Sequence, residues 1–185
     1  MKIFLKDNYF HNADELRDIA LSLTDYRHHT NYDNHPLGKV GWRGLRSNPL
    51  EDYNLNVLNE TTKKIFNDIL DFYNDDDKDL AITTFFHIIS NKDKKTFRCK
   101  YHDDGIPYAG VVYLNPFPVS ECGTSVLDEE NNKLLHVTNV YNRAIAYQNG
   151  TIHAPTGAFG DDKETARLTY LFFIHKKCDK YLIAR

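Results

Sequence analysis

Residues 109–116 read AGVVYLNP, residues 123–137 read GTSVLDEENNKLLHV, and residues 165–173 read TARLTYLFF. Each holds a short run of Val, Leu, Tyr, Phe or Thr bounded by Gly, Pro, Asn or Asp, which is the pattern of a β-strand between turns. AITTFFHII (81–89), KTFRCKYH (95–102), KLLHVT (133–138) and RAIAYQN (143–149) share the texture. Seven such runs after Asp79 predict an antiparallel sandwich or barrel, with DEENN (128–132) as the loop of one hairpin.

The N-terminal part has a different rhythm. Ile3–Phe10 reads as a short strand. Asn12 follows as an N-cap with Glu15 as its capping-box partner, and Leu16, Ile19, Ala20 and Leu23 recur at helical spacing. A second helix is predicted from Leu55 to Tyr73, with Leu58, Ile65, Phe66, Ile69, Leu70 and Tyr73 on its buried side. Between them, His28–Pro49 loses all periodicity and carries GWRGLRSNP (41–49), a long ordered loop of the kind that often serves function. The fold class is therefore α+β and mainly β: a helical N-terminal layer packed on a double-sheet jelly roll. One domain over 1–185 is expected, with the helices and loop in 1–78 and the jelly-roll core in 79–178.

Bulk properties narrow the function. The net charge of -3 argues against a nucleic-acid partner, which usually shows as a basic balance. Cys99, Cys122 and Cys178 are odd in number and widely spaced, so neither a disulfide framework nor a zinc ribbon is indicated, and a reducing cytoplasm is the expected home. MKIFLKDNYF at the start lacks the apolar run of a secretory leader, and no stretch of about 18 apolar residues is present to span a membrane. The acidic run Asp75–Asp77 reads as the solvated end of the second helix.

The chemistry-bearing residues sit at strand ends. In YHDDG (101–105), His102 and Asp104 are two apart and so share a face of an extended chain, while Asp103 points the other way. His153 in NGTIHAP (149–155) lies at another strand end. Two imidazoles and one carboxylate converging on one side of a metal leave its other positions open, which is the facial arrangement of non-haem iron(II) oxygenases. His-x-Asp alone occurs often by chance. The segment after His153 adds weight, because Arg167 and Thr169 again share a face. A guanidinium matches a carboxylate in a bidentate fork, and inside a barrel it needs an anion. That anion is either a protein carboxylate at a sheet edge or a dicarboxylic co-substrate.

The order YHDDG, VVYLNP, GTSVL, AYQNGTIHAP, ARLTYLFF resembles the iron(II)- and 2-oxoglutarate-dependent dioxygenases, in particular their small prolyl-4-hydroxylase-like members, over roughly residues 95–175. The resemblance implies a double-stranded β-helix. It implies iron(II) on His102, Asp104 and His153, the distal carboxylate of 2-oxoglutarate on Arg167 with Thr169 and Tyr113 beside it, and ascorbate as reductant. It further implies that dioxygen and 2-oxoglutarate are consumed, a substrate is hydroxylated, and succinate and CO2 are released. The chain departs from the family in two ways. The interval from His153 to Arg167 is longer than usual, with PTGAFGDDKE (155–164) reading as an inserted hairpin loop, and Cys122–Gly123 replaces the usual double glycine.

Substrate identity stays open among a peptidyl proline or other amino-acid side chain, a free amino acid, a nucleobase and a small metabolite. Trp42, Arg43 and Arg46 are the candidate substrate-binding residues, either clamping an acidic or aromatic group or simply packing the loop. Two other functions compete: a cupin-like metal enzyme without 2-oxoglutarate, and a non-catalytic jelly-roll binding module.

Overall fold

The computed structural model describes residues 2–28, 44–93, 101–128, 130 and 132–179. β1 (Ile3–Lys6) is shorter than the expected strand, because Asn8 takes a left-handed φ of 49° and turns the chain. α1 (Ala13–Ser22) buries Ala13, Leu16 and Ala20, with Ile19 and Leu23 packed alongside. The capping box at Asn12 does not form. Its backbone is not in the extended conformation an N-cap uses, and its side chain donates to Glu15 Oε2 at 3.3 Å rather than serving a helix N–H. α2 (Asn56–Tyr73) begins one residue inside the predicted start and buries Leu58, Thr61, Ile65 and Ile69, one stripe at helical spacing. Asn74, in the left-handed region, ends it, and the Asp75 N–H turns back to the Leu70 carbonyl at 3.0 Å.

The remaining strands are β2 (Arg27–His28), β3 (Leu45–Arg46), β4 (Leu80–Ile89), β5 (Tyr108–Tyr113), β6 (Thr124–Leu127), β7 (Lys133–Val137), β8 (Ala144–Gln148), β9 (His153–Pro155) and β10 (Arg167–Lys176). Among the described residues they form a seven-stranded sheet in the order β1-β8-β5-β10-β4-β3-β2 and a three-stranded sheet in the order β7-β6-β9. All the pairings recorded between them are antiparallel. The molecule is thus mainly β with two helices, as its strand texture predicts. No helix among the described residues is long and apolar enough to cross a membrane.

Alternation along β10, the strand with β4 on one side and β5 on the other, divides the interior in two. Leu168, Tyr170, Phe172 and Ile174 face the helices and join Leu16, Leu58, Ile65 and Ile69 in one apolar cluster. Leu171 and Phe173 face the small sheet and meet Phe85, Val111, Val126, Val137 and Ile145 in a second. Arg167, Thr169 and, across the pairing, Tyr113 share the second face, so polar groups enter the space between the sheets.

Two further expectations change, and a third falls mostly outside the described residues. The ends of the 28–49 segment are not loop: β2 and β3 pair with each other, and β3 extends the large sheet on β4. Residues 155–164 are not a hairpin loop, because β9 and β10 lie in different sheets and the segment crosses between them. Of the predicted strand at 95–102, only Tyr101 and His102 fall within the described residues, and His102 forms a single bridge.

Ile65 is completely buried at the centre of the helix-facing cluster. Ile65→Ala is expected to lower the unfolding free energy by about 2–5 kcal/mol, read from the denaturation midpoint, while the metal affinity described below stays unchanged.

Candidate metal centre

His102 and His153 face one another as an antiparallel bridge. The His102 N–H donates to the His153 carbonyl at 3.0 Å, and the His153 N–H donates to the His102 carbonyl at 2.9 Å. Directly opposed residues project their side chains to the same side, which brings the two imidazole centroids to 4.5 Å. Asp104 completes the group. Its Oδ1 is 3.4 Å from His102 Nε2 and its Oδ2 is 3.4 Å from His153 Nε2. One ligand atom from each of the three lies within 4.8 Å of the others, a separation one ion can bridge.

Electrostatics suit a cation. His153 Nδ1 lies 3.0 Å from the Thr151 carbonyl, so Nδ1 carries the proton and Nε2 presents its lone pair to the centre. Burial pulls the His153 pKa below its ordinary value against the pull of Asp104, so the ring is neutral at pH 7. Burial pushes the Asp104 carboxyl up, but the His102 hydrogen bond, with the two imidazoles and the Arg46 guanidinium close by, outweighs it and holds the carboxyl below its ordinary value. His153 is buried while His102 is exposed, so the site opens on the His102 side. Two neutral imidazoles and a carboxylate on one side form a donor set that fits iron(II) and its divalent neighbours.

Asp103 does point away from this centre, as alternation requires, and it has a task there. Its carboxylate accepts the Gly105 N–H at 3.1 Å and, across the fold, the Gly150 N–H at 3.2 Å. This ties the loop carrying His102 and Asp104 to the turn leading into His153. Tyr147 on β8 is also next to the centre, its ring 4.0 Å from that of His153 at 36°.

At the other end of the inter-sheet space lies Arg167, 2% exposed. Its Nε donates to the Cys122 carbonyl at 3.0 Å and its guanidinium carbon sits 5.4 Å from the Tyr113 ring centroid. No carboxylate among the described residues is ion-paired with it. Asn115, from the YLNP motif, fixes the backbone on both sides: its Oδ1 accepts the Leu168 N–H at 2.8 Å and its Nδ2 donates to the Ala166 carbonyl at 2.5 Å. The Tyr113 hydroxyl is 2.8 Å from that of Thr124, while Thr169 donates weakly to the His87 carbonyl at 3.4 Å. Arg46 enters the same space from β3, stacked over the rings of Phe85 and Phe173 at 5.1 and 5.5 Å. Burial pushes its pKa down to about 9, with Asp104 opposing. Trp42 and Arg43 lie outside the described residues.

Asp103, Asn115, Thr124, Tyr147 and Thr151 were not among the candidates read from the sequence. Inward alternation in RAIAYQN and GTSVL marks Tyr147 and Thr124, but the partner of Asp103 is far away in the chain and no local pattern shows it. A cleft of about 330 Å³ lined by Phe10, Glu15, Val57 and Lys64 lies on the helical layer and contains none of these groups.

No family model matches the chain, and no curated protein matches it in sequence. Solved structures do share its architecture. A prolyl hydroxylase from Trichoplax adhaerens, in complex with a hypoxia inducible factor oxygen degradation domain peptide fragment, superposes with a TM-score of 0.60 at 13% identity, over 99% of this chain and 87% of that one. A prolyl-4-hydroxylase from Pseudomonas putida gives 0.56 at 13% identity, over 94% and 92%. This chain has the fold of the prolyl hydroxylases. HygX from Streptomyces hygroscopicus, with nickel and 2-oxoglutarate bound, gives 0.58 at 14% identity, over 94% and 82%. At these identities the likeness is one of fold.

The Asp103 tie makes a prediction. Asp103→Ala is expected to weaken nickel(II) or iron(II) binding about 10-fold, within the range of lost outer-shell contacts, as measured by calorimetry. Unaltered affinity would show that the loop holds its shape without it.

Proposed function

We propose that the chain is an iron(II)- and 2-oxoglutarate-dependent oxygenase that hydroxylates an organic substrate, possible targets including a prolyl or other amino-acid side chain, and releases succinate and CO2. The carrying observation is the buried guanidinium of Arg167, which no carboxylate among the described residues pairs with, in a fold that also brings together a His-Asp-His group. Leaving such a charge uncompensated costs several kcal/mol, and the distal carboxylate of 2-oxoglutarate answers it. Solved structures of like fold include one with nickel and 2-oxoglutarate bound, which supports the reading. We read the two sheets as the halves of a double-stranded β-helix and the whole as one domain.

In this reading His102, Asp104 and His153 hold the iron, which when bound supplies the activation of dioxygen coupled to decarboxylation of the co-substrate. The chain's own residues orient and enclose. Thr151 keeps Nε2 of His153 available, and Asp104 stays ionised beside it. Arg167, steered by Asn115, takes the far carboxylate in a two-point contact, with Tyr113 offering its hydroxyl and Thr169 lining the same wall. Burial raises the Tyr113 pKa against the opposing pull of Arg167, so the phenol remains a donor at neutral pH. The apolar residues Val111, Ile145 and Leu171 separate the two ends and exclude water. The substrate enters on the exposed His102 side, where Arg46 is placed to contact it. The products balance: one oxygen atom of O2 goes to the hydroxylated substrate and the other to succinate, as CO2 leaves the keto acid.

Succinate release under aerobic conditions with iron(II), measured against a panel of amino-acid, peptide and small-molecule substrates, tests the reading. The wild-type chain is expected to release succinate, and His102→Ala or Asp104→Ala to abolish it. Turnover that survives either change would end the proposal. Arg167→Met is expected to raise the 2-oxoglutarate concentration needed for half-maximal rate by about 30-fold or more, the loss that follows removal of one partner of a buried charge pair.

A further inference from the structure

Tyr147 sits on β8 opposite Ala109 of β5 and Ile3 of β1, on the face that looks between the sheets. Ala109 is small, so nothing on the neighbouring strand competes with the phenol ring for space, and the ring leans onto His153 with centroids 4.0 Å apart. The His102 ring stands 4.5 Å from that of His153, and the Thr151 carbonyl holds its Nδ1 edge at 3.0 Å. The plane of His153 is therefore set by contacts on ring and edge, and Tyr147 supplies the aromatic one.

The hydroxyl of Tyr147 is the unexplained part. The residue is 5% exposed, and among the described residues its hydroxyl makes no hydrogen bond. The ring is enclosed, yet the hydroxyl oxygen is not one of the fully buried side-chain atoms left without a partner, so it is open to a group that enters the site. The phenol also lies within electrostatic reach of Asp104 toward the metal end and of Tyr113 and Arg167 toward the other. With its ring against His153 and its place on the inward face that also carries Tyr113, it borders the His-Asp-His end of the space between the sheets.

We propose that Tyr147 is a further co-substrate-binding residue of this centre, its ring fixing the His153 imidazole and its hydroxyl donating a hydrogen bond to the keto-acid end of 2-oxoglutarate. This rests on the functional reading above and adds a second pole of recognition. Arg167 holds the distal carboxylate, and Tyr147 distinguishes a keto acid from a plain dicarboxylate.

Calorimetric titration of the nickel(II)-loaded chain with 2-oxoglutarate and with glutarate tests it, alongside nickel titrations of the metal-free chain. Tyr147→Phe keeps the ring and is expected to leave nickel affinity unchanged, weaken 2-oxoglutarate about 10-fold as for a lost bond to a charged acceptor, and leave glutarate unchanged. Tyr147→Leu removes the stack and is expected to weaken nickel itself. Wild-type 2-oxoglutarate affinity in Tyr147→Phe overturns the hydroxyl's role, and wild-type nickel affinity in Tyr147→Leu overturns the ring's. Failure of the unmodified nickel-loaded chain to bind 2-oxoglutarate is a different result. It removes the functional reading and the hydroxyl's role together, while the nickel arm still decides the stack.

Discussion

Arg167 lies between two sheets with its guanidinium bonded to main-chain carbonyls of Cys122 and Gly123 and to no carboxylate among the described residues. Desolvating a cation there costs more than neutral carbonyls return, which is why the proposed reading assigns it an anionic ligand. The surrounding structure acts to keep it there. Asn115 pins the backbone before and after it, the Tyr113 ring lies against it, and β10 is paired on both sides so that the strand cannot rotate its inward face away.

That inward face links fold to site. Side-chain alternation along β10 sends Leu168, Tyr170 and Phe172 to the helices and Arg167, Thr169 and Leu171 to the space between the sheets. The helical layer thereby covers the large sheet from outside and leaves the inner surface to function. The small sheet contributes through β9, which delivers His153, and through the bridge that sets His102 opposite it. A His-Asp-His group at one end and a guanidinium without a carboxylate partner among the described residues at the other define a slot of fixed polarity.

Much of this was legible in the chain. The strand runs at 81–89, 109–113, 124–127, 133–137 and 167–175 all appear as strands, since each combines β-branched or aromatic residues with clear turn signals. His102 and Asp104 were readable because residues two apart in an extended segment share a side, His153 because it ends a later strand-like run, and the structure brings the three together. What escaped depended on long-range pairing. The strands β2 and β3 are two residues each, too short for any periodicity, and exist because β4 offers an edge. The crossing from β9 to β10 looked like a hairpin because glycines mark a turn without saying which sheet the chain enters next. Asp103 and Asn115 act through backbone groups of Gly150, Ala166 and Leu168, and a partner's identity is invisible when the partner is a peptide group.

In the proposed reading one small dicarboxylate spans the His-Asp-His group and Arg167. The most direct test is the visible spectrum of the iron(II)-loaded chain, kept free of oxygen, as 2-oxoglutarate is added. A charge-transfer band that grows to saturation and is absent from Arg167→Met at the same concentration is the predicted result. Bound iron with no band at any 2-oxoglutarate concentration would contradict the account.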